Sequence, residues 1–163
     1  MSVKTILTEP NKLLRKVSEP VKKVGNEERR LMDDMLETMY EAPGIGLAAI
    51  QIGIPKRIIV MDLSRDENKK EPRYFVNPII KNRNIEKVKY EEGCLSVPDQ
   101  FAEIERPSTC EVEYLDYEGK KKVITSGWPF SNLYSAWDGP FGRNFIYWLF
   151  IKIEKINGFK KTF

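Results

Sequence analysis

Glu91-Glu92-Gly93-Cys94-Leu95-Ser96-Val97-Pro98, read together with Gly44-Ile45-Gly46-Leu47-Ala48-Ala49-Ile50-Gln51, decides how this chain is understood. A Gly-x-Gly ahead of Leu-Ala-Ala lets backbone approach backbone closely, which on its own describes a tight turn into small core residues. A single cysteine is more often a small buried hydrophobe than a ligand, so Cys94 alone points to no chemistry. Cys110 lies on one face of an alternating strand with Val112 and Tyr114, and reads as core.

Upstream of the first segment, Leu31, Met35 and Met39 recur every four residues with Met32, Leu36 and Tyr40 beside them. That spacing predicts an amphipathic helix from Asn26 to about Glu41, with Asn26 as N-cap and Glu27 and Glu28 at the positive end of the dipole. Pro43-Gly44 stops it. A shorter helix is expected after Pro10, closing at Glu19-Pro20 because the residue before proline is pushed out of the α region. Downstream, strands are expected at Arg57 to Leu63, Arg73 to Asn77, around Val88 to Tyr90, Phe101 to Glu105 and Cys110 to Leu115. Tyr117-Glu118-Gly119-Lys120 reads as a hairpin turn into Lys121 to Thr125. No internal repeat or linker interrupts the series.

The chain has 163 residues, 41% hydrophobic and 31% charged, which suits one soluble domain with a single core. The net charge of +3 comes from Lys and Glu spread along the sequence, so no specific nucleic-acid motif is present. No apolar leader and no run of about 18 apolar residues occurs, which predicts a cytoplasmic protein without membrane contact. Cys94 and Cys110 are expected to be free thiols unless a metal holds one.

Gly-x-Gly-Leu-Ala-Ala-x-Gln followed by Glu-Gly-Cys-Leu-Ser-x-Pro resembles the first two of three signature motifs of the peptide deformylase family. The resemblance runs from about Leu7 to Thr125 and includes Asn77-Pro78. It implies an α+β fold with antiparallel β-sheets around a central helix. The implied activity is metal-dependent hydrolysis of the N-formyl group from N-formylmethionine of nascent polypeptides at the ribosome. In the family a thiolate and two histidines hold Fe2+, with Zn2+ or Ni2+ also accepted, leaving a position open for water. Carried onto this sequence, Cys94 would be the metal ligand. The Gln51 amide and the Leu95 backbone N–H would bind the oxyanion. Ile45 and Gly46 would line the substrate channel, and Glu92 would support the metal ligands from behind.

The third motif, Gln-His-Glu-x-Asp-His on a central helix, is missing, and the chain contains no histidine. Tyr134-Ser135-Ala136-Trp137-Asp138-Gly139 stands where it belongs, in a tail holding Trp128, Trp137, Trp148 and the strand-like apolar run Phe145 to Ile151. Back-translating residues 127–163 and reading from the second base of each codon permits an uninterrupted Ile-Gln-His-Glu-Met-Asp-His-Leu-Glu-Gly. If Trp137 and Trp148 are encoded UGG, the catalytic Glu and a later Asp become Gly; if UGA, both are restored. The division expected is a deformylase-like domain over 1–125 and a non-family, frameshifted tail over 126–163, with the central helix lost. As written, the chain is expected to fold poorly, to hold no metal stably and to hydrolyse nothing. Two alternatives stand beside this: a non-catalytic homologue that binds N-terminal peptides, and an active enzyme misread through a sequence error.

Overall fold

A computed structural model describes residues 2–64 and 69–127. Apart from Ser126 and Gly127, the tail and its apolar run at 145–151 lie outside the described residues, as does the question of a central C-terminal helix.

Helix α1 spans Asn26–Glu41 and buries Leu31, Met32, Met35, Thr38 and Met39, the face that the four-residue spacing predicts. Its N-cap is Gly25, not Asn26. The cause is Glu28, whose carboxylate reaches back one turn to accept from the Gly25 N–H at 3.0 Å, while Lys56 clasps Glu27 and Glu28 at 2.7 and 3.0 Å. The helix expected after Pro10 is only a 3-10 turn, Lys12–Arg15, opened by Asn11 accepting from Leu13 N–H. Beyond it the backbone is claimed elsewhere: Glu19 N–H donates to Pro55 O and Glu19 O accepts from Arg57 N–H, which holds the segment extended.

Among the described residues seven strands follow: β1 Gly46–Ala48, β2 Ile58–Asp62, β3 Pro72–Arg83, β4 Lys87–Cys94, β5 Val97–Pro107, β6 Thr109–Leu115 and β7 Lys121–Gly127. A five-stranded sheet has the order β1-β2-β3-β6-β7, and β4-β5 forms a separate two-stranded ribbon. Every pairing between these described strands is antiparallel. This is the expected α+β class with antiparallel sheets. β3 and β5 are longer than expected because prolines do not end them, and β4 also extends beyond Val88 to Tyr90. Pro78 sits in a register shift between Val76 and Ile79, where Asn77 takes φ 50° and turns its N–H to Arg57 O at 2.9 Å. The turn at Asp116 to Lys120 has Gly119 at φ 76°, as the hairpin reading requires.

Alternation along the strands gives the sheet two apolar faces. Ile58, Val60, Val76 and Leu47 pack with the α1 methionines, and Ile59, Met61, Phe75, Cys110 and Val112 cluster on the other side. Cys110 is buried there, as expected of a core residue. Each fully buried apolar side chain contributes about 1.5–3 kcal/mol. No helix among the described residues is long and apolar enough to cross a membrane.

Candidate active site

The two motif segments meet. The first runs through β1 into a 3-10 turn at Ala49–Ile52, which Gly53 ends at φ 81°. The second forms the tip of the β4-β5 ribbon, where Cys94 pairs with Val97 across Leu95 and Ser96. The N-terminal strap pins both: Leu7 N–H donates to Gln51 O at 2.7 Å and Glu9 N–H to Ser96 O at 2.9 Å.

Gln51 is 5% exposed. Its Oε1 accepts from Ala48 N–H at 2.9 Å, and its Nε2 donates to Ser96 Oγ at 3.1 Å and faces Cys94 Sγ at 3.8 Å. Burial pushes the Cys94 thiol up to about 11, against the lowering effect of the Ser96 and Val97 N–H groups that donate to it, and the charge of Glu9 adds to the rise. A Cβ on Gly44 would stand 2.7 Å from Leu95 Cδ1, so the Leu95 side chain would have to shift to admit one. Gly46 is different: a Cβ there would meet only ordinary contacts, 3.6 Å to Met61 Cγ at the nearest. Internal packing therefore does not require its missing side chain. Ile45 is half exposed beside it, while Leu95 packs partly buried against the α1 core.

Glu92 is buried and held by Arg106, with Nε to Oε1 at 3.1 Å and Nη2 to Oε2 at 2.8 Å. This fork-to-fork pair fixes the ribbon immediately before Cys94. Sequence reasoning assigned nothing to Arg106, Ser96 or the Leu7 to Glu9 strap. A hydrophobic pattern carries no mark of a partner 14 residues away, and the ribbon register sets Glu92 opposite Ala102 and Arg106 opposite Val88, so the pair runs diagonally along the ribbon.

A family model, Polypeptide deformylase, matches residues 3–134. The chain belongs to this family. Peptide deformylase of Pelagibacter ubique is 81% identical over 124 residues, 76% of this chain and 72% of that protein. The Phenylobacterium zucineum peptide deformylase is 58% identical over 121 residues, 74% of this chain and 72% of that protein. Among solved structures, peptide deformylase from Ehrlichia chaffeensis superposes with a TM-score of 0.81 at 40% identity, covering 96% of both chains. The same protein in complex with actinonin gives 0.80 at 41% identity, covering 99% of this chain and 100% of that one.

Membership in the deformylase family makes a bound divalent metal the natural question, and the donors among the described residues do not fit one. Among the described residues no group of three or more His, Cys, Asp or Glu is placed to hold a metal, and no histidine exists anywhere in the chain. Cys94 has no second such donor grouped with it among the described residues. What the described site offers is a fixed amide donor beside that thiol, next to β1, an edge of the five-stranded sheet.

Proposed function

We propose that this site is laid out for the deformylase reaction, removal of the formyl group from N-formylmethionine of nascent polypeptides, and that the chain as written keeps only the substrate-facing half of it. The observation carrying this reading is the Gln51 carboxamide, buried, held at both ends and turned toward Cys94 from a motif 43 residues away. In the proposed assignment Gln51 and the Leu95 N–H receive the formyl oxygen, Ile45 and Gly46 flank the peptide as it lies along β1, and Glu92 steadies the strand that carries Cys94. The lack of internal crowding at Gly46 supports its place in the channel. Hydrolysis needs a metal-activated water, for which the described residues group no second donor with Cys94 and the chain has no histidine, so the 163-residue chain is expected to release no formate. Stable binding of Fe2+, Zn2+ or Ni2+ is assigned only to a chain whose third motif is restored. Ribosome contact and a cytoplasmic location belong to the same proposal.

The boundary near residue 125 belongs to it as well. Likeness of 81% over 124 residues and a family match that stops at residue 134 support a deformylase-like part followed by a shifted frame. Resequencing the gene across the codons for Val123 to Phe163, with formate-release assays on the written chain and the frame-restored chain, tests the reading. The written chain is expected to be silent, and the restored one active where Trp137 is encoded UGA, which returns the catalytic Glu. Formate release by the written chain with one metal per chain refutes the proposed loss. Capture of a formyl-Met peptide without turnover favours a non-catalytic peptide binder. A miscounted base near Ser126 in the recorded sequence makes the protein an ordinary enzyme.

A further inference from the structure

Ser96 joins three parts of the site through three different atoms. Its N–H donates to the Cys94 sulfur, its Oγ accepts from Gln51 Nε2 at 3.1 Å, and its carbonyl accepts from Glu9 N–H at 2.9 Å. The residue is 0% exposed, so no water competes for that hydroxyl. We infer that Ser96 is a positioning residue that holds the Gln51 carboxamide with one N–H bonded to its hydroxyl and the other aimed past Cys94, where a formyl oxygen would be received.

A carboxamide is close to symmetric in shape, and its neighbours decide which end is oxygen. Ala48 N–H at 2.9 Å demands the oxygen on one side. That leaves the NH2 to be oriented, and it has two hydrogens. Ser96 takes one at a normal distance, whereas the contact with Cys94 Sγ at 3.8 Å is weak enough to yield to a carbonyl. Without the hydroxyl, only the Ala48 bond to Oε1 opposes rotation about the last side-chain torsion, which is broad for glutamine. A donor that is already aimed loses nothing in reorganisation when its acceptor arrives. Glu9 completes the arrangement by fixing the Ser96 carbonyl, which makes the N-terminal strap part of the site.

The inference rests on the proposed role of Gln51, and its test separates the two. In the 15N-labelled full chain, the Gln51 side-chain NH2 pair is identified by its loss in Gln51→Glu. Ser96→Ala is expected to collapse the separation of the two proton shifts and to speed their exchange with water about tenfold, while Ser96→Thr, which keeps the hydroxyl, restores both. Titration with a formyl-Met tripeptide and its unformylated counterpart is expected to show a preference for the formylated one, reduced by about tenfold in Ser96→Ala. Unmoved Gln51 resonances in Ser96→Ala, with only a lower melting temperature, would mean that Ser96 merely packs, and overturn the inference. A wild-type chain with no formyl preference whose Gln51 resonances still respond to Ser96 leaves the positioning intact and overturns the role proposed for Gln51.

Discussion

Removing Arg106 leaves the Glu92 carboxylate without its partner inside the protein, and the size of the effect follows from burial. The two side chains are 5% and 2% exposed, joined by two hydrogen bonds of 3.1 and 2.8 Å. Breaking a buried pair from one side costs about 3–5 kcal/mol, because the remaining charge keeps its desolvation penalty and loses its compensation. For a chain of this size each kcal/mol lowers the melting temperature by about 2–4 °C, so Arg106→Met is expected to melt roughly 6–20 °C below the parent. Replacing both partners, Glu92→Leu with Arg106→Met, removes the stranded charge and is expected to recover most of that loss. Lys89–Glu103 on the same ribbon, 60% and 65% exposed at 2.9 Å, is the internal control: Lys89→Met is expected to melt with the parent. Thermal unfolding followed by circular dichroism at low and high salt provides the comparison. The Glu92–Arg106 effect should persist in salt, since buried pairs are poorly screened. An Arg106→Met chain within about 1 kcal/mol of the parent, or a double variant as unstable as the two single losses added, would refute the reasoning.

Three further outcomes are expected. Asn77→Ala removes two hydrogen bonds that bracket Val21, at 2.8 and 2.7 Å, and puts a Cβ-bearing residue without a compensating side chain at φ 50°; urea unfolding should show a loss of roughly 2–4 kcal/mol, and Asn77→Gly should recover the backbone share alone. Gly44→Ala drives a methyl to 2.7 Å from Leu95 Cδ1 and should cost about 1–3 kcal/mol while shifting the Leu95 methyl resonances; unchanged resonances would mean the motifs do not touch as described. With the Cys94 thiol held up at about 11, the folded chain keeps a proton that the unfolded chain releases near 9.0, so the thiol's contribution to stability is whole below that pH and lost as pH rises from 9.0 towards 11. Iodoacetamide labelling of Cys94 should accordingly climb with pH to beyond 10, and a plateau near neutrality would mean a stabilised thiolate and refute the effect of burial.

How much of this was legible depends on whether the partner is close in sequence. The α1 face was, because Leu31, Met35 and Met39 announce it within one helix, and so was Cys110 by alternation. The N-cap was missed because the deciding bond belongs to Glu28, not to the capping side chain that residue type advertises. Strand lengths were underestimated wherever proline intervened, since Pro78 and Pro98 are tolerated through register shifts that no single strand encodes. The site is the extreme case. Gln51 and Cys94 are ordinary residues until strands from distant parts of the chain bring them within 3.8 Å, and only the resemblance of the joined motifs foretold that.

The polar burial at this site bears on what happened to the third motif. Gln51, Ser96, Glu92 and Arg106 are each at most 5% exposed, and a cluster of this kind is no more stable than an apolar one of the same shape. A chain drifting without function would be expected to lose such groups first, one substitution at a time, throughout its length. Here every one of their mutual bonds is made, and 81% identity to the Pelagibacter ubique protein persists over 124 residues. Preserved detail up to residue 125 in a chain without histidine is what the displaced frame proposed above would leave, and gradual decay would not. The described residues would then be a working half-site, and restoring one reading frame, with no change to residues 1–125, is expected to be sufficient to return the missing donors.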